Sequence, residues 1–218
     1  MQIEKLHKQF DRLQNKYGDK TLNSVYGAGC IKNPNICFVF MNPTARSIAT
    51  NKKWKGLKAQ WLGTKQVWKV FNQIGLFDKF LFKTIQNKKA CDWNYDFCDD
   101  VYNEVVKNKI YITNLAKATQ LDARPLPNNI FEKYLDLLKE EIGKINPKII
   151  ISFGNQVSSI LLNEKINVSK WRKKSYNLEI KNKKYKVYPV YYPVGIGTRN
   201  IKKVLEDLNW IIRKEMNI

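Results

Sequence analysis

Short, almost wholly apolar runs alternate with stripes of helical period along this chain. Ile36–Met41 (ICFVFM), Lys109–Thr113 (KIYIT) and Lys148–Phe153 (KIIISF) are rich in β-branched and aromatic residues, the pattern of strands buried on both faces of a parallel sheet. Each gives way to a polar residue or glycine instead of continuing as a helix. Apolar residues recur at helical spacing in Lys65–Ile74 (Val67, Val70, Phe71, Ile74) and in Asn128–Ile145 (Ile130, Tyr134, Leu137, Leu138, Ile142). A shorter helix is predicted over Gln156–Leu162, a terminal one from about Ile201 to Lys214, and an amphipathic one through Ile3, Leu6, Phe10, Leu13 and Tyr17. Asn177–Ile180 and Tyr185–Tyr191 flank the turn-like Lys181-Asn182-Lys183-Lys184, predicting a hairpin or two adjacent strands. Asp78–Asn108, rich in Lys, Asp and aromatics, reads as short helices in an insertion.

This alternation predicts an α/β fold of three layers, α/β/α, around a mostly parallel four-stranded sheet. With 218 residues, 44% of them apolar, one hydrophobic core is expected and residues 1–218 are read as a single domain. No run approaches the ~18 consecutive apolar residues of a membrane helix, and the amphipathic N-terminal pattern is unlike a signal peptide. A soluble, cytoplasmic monomer is expected, placed at the nucleoid if the source is prokaryotic.

Charge adds a partner to that picture. Lys and Arg total 39 against 19 Asp and Glu, a formal net charge of +20, which favours a polyanion nearby and makes nucleic acid the leading partner. Codon bias in an AT-rich genome, which also fits the many Asn and Ile residues, accounts for part of the lysine excess. Lys52-Lys53-Trp54-Lys55, Lys170–Lys174 and Lys181–Lys186 are candidate phosphate contacts, with a solvated face as the plain alternative. Cys30, Cys37, Cys91 and Cys98 form two Cys-x6-Cys pairs without the Cys-x2-Cys bite common in zinc and iron–sulfur sites. No metal or other cofactor is expected, a four-thiolate site being the alternative. Cys37 reads as a core residue, and His7, the single histidine, as surface or structural.

In open parallel sheets ligands bind beyond the carboxyl ends of the strands. The residues there are Met41-Asn42-Pro43-Thr44-Ala45-Arg46, then Asn114-Leu115-Ala116-Lys117, then Tyr192–Asn200 (YPVGIGTRN). An amide offers donor and acceptor, so one asparagine can hold a water and another can pair with the edge of a base. Asn-Pro after a strand is also an ordinary turn. A nucleotide-handling α/β enzyme would need a glycine-rich phosphate loop after its first strand, which Asn42-Pro43-Thr44 does not supply.

Four segments, in order, resemble the uracil-DNA glycosylase family over roughly Val25–Trp210. They are Val25-Tyr26-Gly27-Ala28-Gly29 with Ile36–Pro43; Tyr111–Lys117 with Arg124-Pro125 and Pro127; Pro147–Gly154 with the following helix; and Val187–Pro193 with Arg199. The layout is similar to the iron–sulfur branch, but Met41 stands where that branch has an acidic residue, and Ala118 where it has a cysteine. Met41-Asn42-Pro43 instead resembles the mismatch-specific and single-strand-selective branches. Tyr192 stands where the family commonly has a histidine.

The resemblance implies a monofunctional glycosylase that flips a damaged base out of single- or double-stranded DNA and hydrolyses its N-glycosidic bond in base excision repair, without a cluster. On this reading Asn42 positions the water, Tyr192 donates to the leaving base and Asn114 reads the base edge, with Met41 and Phe40 lining the base site; Trp61, by its spacing before Trp68-Lys69-Val70-Phe71, is the candidate stacker and Trp54 the second. Gly195, Ile196, Thr198 and Arg199 would enter the groove, with Ile196 as wedge and Arg199 on phosphate; Arg46 and Lys117 would also contact DNA. A non-catalytic nucleic-acid-binding protein of the same fold is the alternative, which the missing acid and histidine allow.

Overall fold

The computed structural model describes residues 3–123 and 126–216; Arg124 and Pro125, used in the resemblance above, lie outside the described residues. In chain order the elements are α1 (Glu4–Tyr17), β1 (Ala28–Gly29), β2 (Ile36–Phe40), α2 (Lys65–Gln73), α3 (Lys79–Asn87), α4 (Tyr95–Lys107), β3 (Ile110–Asn114), α5 (Asn128–Ile145), β4 (Ile149–Phe153), α6 (Asn155–Leu162), α7 (Val168–Trp171), β5 (Tyr176–Ile180), β6 (Lys183–Val190) and α8 (Ile201–Met216).

The sheet order is β1-β3-β2-β4-β6-β5. Its four interior strands are parallel to one another, and β1 and β5 add antiparallel edges. The sheet therefore has six strands, not the four expected. Two residues of β1 are too short for any alternation to register, and β5 is the first arm of the hairpin. All residues of β2, β3 and β4 are buried, so their apolar runs reflect cover on both faces.

One face carries Ile36, Phe38, Phe40, Ile110, Ile112, Ile151 and Phe153 against α2, α3, α4 and α8. The opposite face carries Cys37, Val39, Tyr111, Ile150 and Val187 against α1, α5 and α6. Apolar side chains packed from both sides at this density make the three-layer core. The Asp78–Asn108 region departs from the insertion expected. Its α3 and α4 begin on side-chain caps, Asp78 accepting from the Leu81 N–H at 2.7 Å and Asn94 from the Phe97 N–H at 3.0 Å. Phe97, Cys98, Val101, Tyr102 and Val105 then bury one side of α4, making it part of the crossover from β2 to β3. Because β2, β3, β4 and β6 run the same way, residues 40–46, 114–120, 154 and 191–200 follow the carboxyl end of one sheet.

Candidate active site

Beyond the sheet, the segments leaving β2 and β3 remain hydrogen-bonded to each other. The Leu115 N–H donates to the Phe40 carbonyl at 2.7 Å and the Ala116 N–H to Met41 at 3.0 Å. Farther out, the Gln120 N–H donates to Pro43 at 3.1 Å and the Ala45 N–H to Gln120 at 2.8 Å. This lacing, with Phe40 and Asn114 as register partners, brings Asn42 close to Asn114. Both are buried. The Asn42 amide nitrogen donates to the Pro43 carbonyl at 3.2 Å, so its oxygen is the atom left for a solvent molecule.

Asn114 Nδ2 donates to Gln60 Oε1 at 2.5 Å, and Gln60 Nε2 donates to the carbonyls of Tyr26 at 2.8 Å and Val25 at 3.3 Å. The Tyr102 phenol donates to the Gln60 carbonyl. Asn114 Oδ1 and Trp61 Nε1 are buried with no hydrogen-bond partner among the described residues. Buried polar atoms ordinarily have partners, so an unpaired acceptor and an unpaired donor here are groups suited to a ligand. Trp61 is held at φ +65°, a left-handed conformation costly for a bulky residue. Its carbonyl accepts from Trp68 Nε1 at 2.7 Å, and its ring stands edge-on to Phe40 with centroids 4.6 Å apart. Gly63 lets this segment run against the Arg46 carbonyl, where a Cβ would stand 2.5 Å from the oxygen.

Phe40 is wholly buried between Trp61, Phe153 and Tyr192, with centroids 4.6, 4.5 and 6.1 Å away. It supports those rings from within the core and offers no surface to a base, which corrects its expected base contact. Met41 is half-buried and packs on the opposite face of the sheet. Tyr192 is also half-buried; burial of its phenol pushes the pKa well above the ordinary value, partly offset by a hydrogen bond from the Met41 backbone. Trp54, the second candidate for stacking, donates its Nε1 to Leu57 at 3.2 Å within its own turn.

Residues Gly195–Asn200 form a short 3-10 turn leading into α8. Ile196 is 84% exposed at its tip, Arg199 is exposed, and Thr198 Oγ1 donates to the Gly195 carbonyl at 2.8 Å. Gly197 packs so tightly that a Cβ would stand 1.9 Å from the Tyr192 carbonyl oxygen, tying this turn to the strand end. Arg46 is exposed on the loop after β2.

Lys117 is elsewhere than expected. It is wholly buried on the other face of the sheet, where Nζ donates to Glu141 Oε2 at 2.6 Å, Thr113 Oγ1 at 2.8 Å and the Asn114 carbonyl at 2.6 Å, and lies 4.7 Å from the centre of the Phe10 ring. Burial lowers its pKa, opposed by Glu141. Glu141 also accepts from Tyr111 at 2.7 Å and Thr113 at 3.1 Å. A lysine enclosed in this way cannot reach a phosphate; it grips the backbone of the residue whose side chain faces the site. His7 stacks on Tyr26 at 3.7 Å, a structural placement, and burial lowers its pKa.

The basic stretches divide by position. Lys52 and Lys53 are exposed on the site side, after β2. Arg172 is engaged with Asp207 at 2.9 Å and Glu206 at 2.8 Å. Lys181–Lys186 spans the β5–β6 turn and the start of β6, at the amino end of the parallel strands and so opposite the candidate site. That stretch is excluded as a phosphate contact for this site.

A family profile described as the Uracil DNA glycosylase superfamily matches residues 26–211. The chain belongs to the uracil-DNA glycosylase superfamily. Among its curated relatives, a protein from Sulfurisphaera tokodaii named Type-4 uracil-DNA glycosylase is 26% identical over 106 residues, 46% of this chain and 48% of the relative. One of the same name from Archaeoglobus fulgidus is 30% identical over 95 residues, 41% of this chain and 47% of the relative. The matches span about half the length of these relatives.

The four thiols do not fit the iron–sulfur cluster of the branch this layout resembles. Cys37 and Cys98 are buried on opposite faces of the sheet, Ala118 is wholly buried where a ligand would stand, and no group of three or more His, Cys, Asp or Glu among the described residues could hold a metal. Two residues that build this candidate site, Gln60 beside Asn114 and Glu141 behind it, carry only a weak signal in the sequence. Gln60 sits between Ala59 and Trp61-Leu62, a lone polar position in a buried stretch. Glu141 follows Leu138 and precedes Ile142 and Ile145 on the apolar stripe of α5, where a charge signals a buried partner.

Proposed function

We propose that this protein is a monofunctional DNA glycosylase that removes uracil or a related deaminated base by base flipping and hydrolysis of the N-glycosidic bond. The observation that carries the reading is the buried, unpartnered pair of polar atoms, Asn114 Oδ1 and Trp61 Nε1, beside Asn42 at the carboxyl end of the sheet in a chain of this superfamily.

Cleaving the bond places positive charge on the sugar and negative charge on the departing base, so the site must orient a water, hydrogen-bond the base and exclude bulk solvent. Asn42 Oδ1 orients the water. Asn114 reads the base edge while Trp61, seated on Phe40, stacks on the flipped ring. Tyr192 remains a neutral phenol at ordinary pH because burial raises its pKa, and can therefore donate to charge developing on the base. Ile196 fills the space the base leaves, while Arg46, Arg199, Thr198 and the Gly195 backbone hold the DNA. The net charge of +20 supports DNA as the partner, and residues 1–218 act as one monomeric domain.

The test is incubation with oligonucleotides containing uracil, containing hypoxanthine or undamaged, followed by alkaline cleavage of abasic sites. Strand breaks confined to the uracil or hypoxanthine substrate are expected. Salt-sensitive binding without breaks would instead mark a nucleic-acid-binding protein that keeps the fold.

A further inference from the structure

We infer that Gln60 is a positioning residue that fixes the Asn114 amide with its acceptor toward the pocket, so that the site selects bases presenting a ring N–H. This deepens the glycosylase reading and rests on it.

The Gln60 side chain has its donor side fully engaged. Its Nε2 has two hydrogens, which are directed to the carbonyls of Tyr26 at 2.8 Å and Val25 at 3.3 Å. Its backbone carbonyl accepts from the Tyr102 phenol, and the residue is 2% exposed. Turning the Gln60 amide over would place its oxygen against two carbonyl oxygens, so Oε1 has to face Asn114. Asn114 must answer with a donor, and Nδ2 does so at 2.5 Å. Reversing Asn114 would bring two amide oxygens together at that distance. The remaining Asn114 atom, Oδ1, is consequently the one left buried and unpaired. From the opposite face, Lys117 holds the Asn114 carbonyl at 2.6 Å, so the backbone bearing this amide is fixed too.

An acceptor in the pocket pairs with the N3–H of uracil or the N1–H of hypoxanthine and faces a lone pair on N3 of cytosine. Since Asn114 Nδ2 is already used, Asn114 offers the base its acceptor alone. The class of base read is therefore one with a ring N–H.

The experiment compares wild type with Gln60→Met, which keeps side-chain length and removes both polar groups. Release of uracil and of cytosine is measured on otherwise identical single-stranded oligonucleotides. In the variant the Asn114 amide is free to turn, and the preference for uracil over cytosine is expected to fall at least about tenfold, the scale of one mispaired polar contact. A wild-type preference in a folded Gln60→Met protein would overturn the inference. A second measurement needs no variant: exchange of the Asn114 side-chain NH2 protons with solvent, followed by NMR in the ligand-free wild type. Slow exchange is expected, and exchange at the rate of an exposed amide would overturn the clamp. Failure of wild type to release uracil would remove the reaction while leaving the NMR result to judge Gln60 separately.

Discussion

Lys117 and Glu141 form an ion pair of 2.6 Å in which neither side chain is more than 1% exposed. The ammonium also bonds to the Asn114 carbonyl, so a charge pair on one face of the sheet secures a residue whose side chain serves the other face. Breaking such a pair from one side leaves an uncompensated buried charge, which costs about 3–5 kcal/mol. Lys117→Met and Glu141→Leu should each lower the melting temperature by on the order of 10 °C in a protein of this size, and the double substitution by less than the two singles combined. Calorimetric melting of the three variants checks this; additive losses would show that the two groups do not act as a pair.

Asn42 stands on different ground, because its amide nitrogen is tied to Pro43 and its oxygen shows no hydrogen bond among the described residues. Replacing it with Ala should reduce base release by roughly tenfold to a thousandfold, the range for losing one preorganised polar group, with DNA affinity almost unchanged. Single-turnover excision together with a binding titration separates the two quantities. An unaltered excision rate would take Asn42 out of the mechanism.

Much of the fold was legible in the sequence. Ile36–Phe40 and Ile149–Phe153 are apolar because helices cover both faces, and that pattern survives in one dimension. The edge strand Ala28–Gly29 was not legible, since two residues carry no period, and α4 was obscured by the acidic residues interleaved with its buried stripe of Phe97, Cys98, Val101, Tyr102 and Val105. The strand-end asparagines could be found because parallel strands deliver their carboxyl ends to one place. Gln60, Glu141 and the inward turn of Lys117 could not be placed that way. Their roles depend on which face of the sheet a side chain enters, and a one-residue change in direction after β3 separates Asn114 from the Lys117 network.

The direction of Lys117 has a measurable consequence for DNA binding. If about five phosphates are neutralised, affinity should fall with a log-log salt slope near −4 to −5. Arg199→Gln, on the exposed turn, should make that slope shallower by about 0.9, whereas Lys117→Met should leave it unchanged in the folded protein. Titrations of a labelled oligonucleotide at several salt concentrations distinguish them, and a shallower slope for Lys117→Met would mean that the lysine reaches DNA after all.

Glu215 links the end of α8 to the sheet through a contact that is sensitive to acid. Its carboxylate accepts from Tyr188 at 2.6 Å and from Lys186 at 3.1 Å. Burial pushes its pKa up, and the hydrogen bonds from Tyr188 and Lys186 more than offset this, leaving it below the ordinary value of 4.5. A carboxyl whose folded pKa is depressed contributes stability that is fully present above the unfolded value and is lost as pH falls through the folded one. The anchor therefore weakens below about pH 4.5, where the unfolded chain takes up the proton first. Glu215→Gln should be less stable at neutral pH and show a shallower decline in melting temperature from pH 5 toward pH 3, since one group whose proton uptake differs between the states is gone. Parallel acid limbs for wild type and variant would assign the acid sensitivity to other carboxylates, such as Glu206, which Arg172 holds below the usual range.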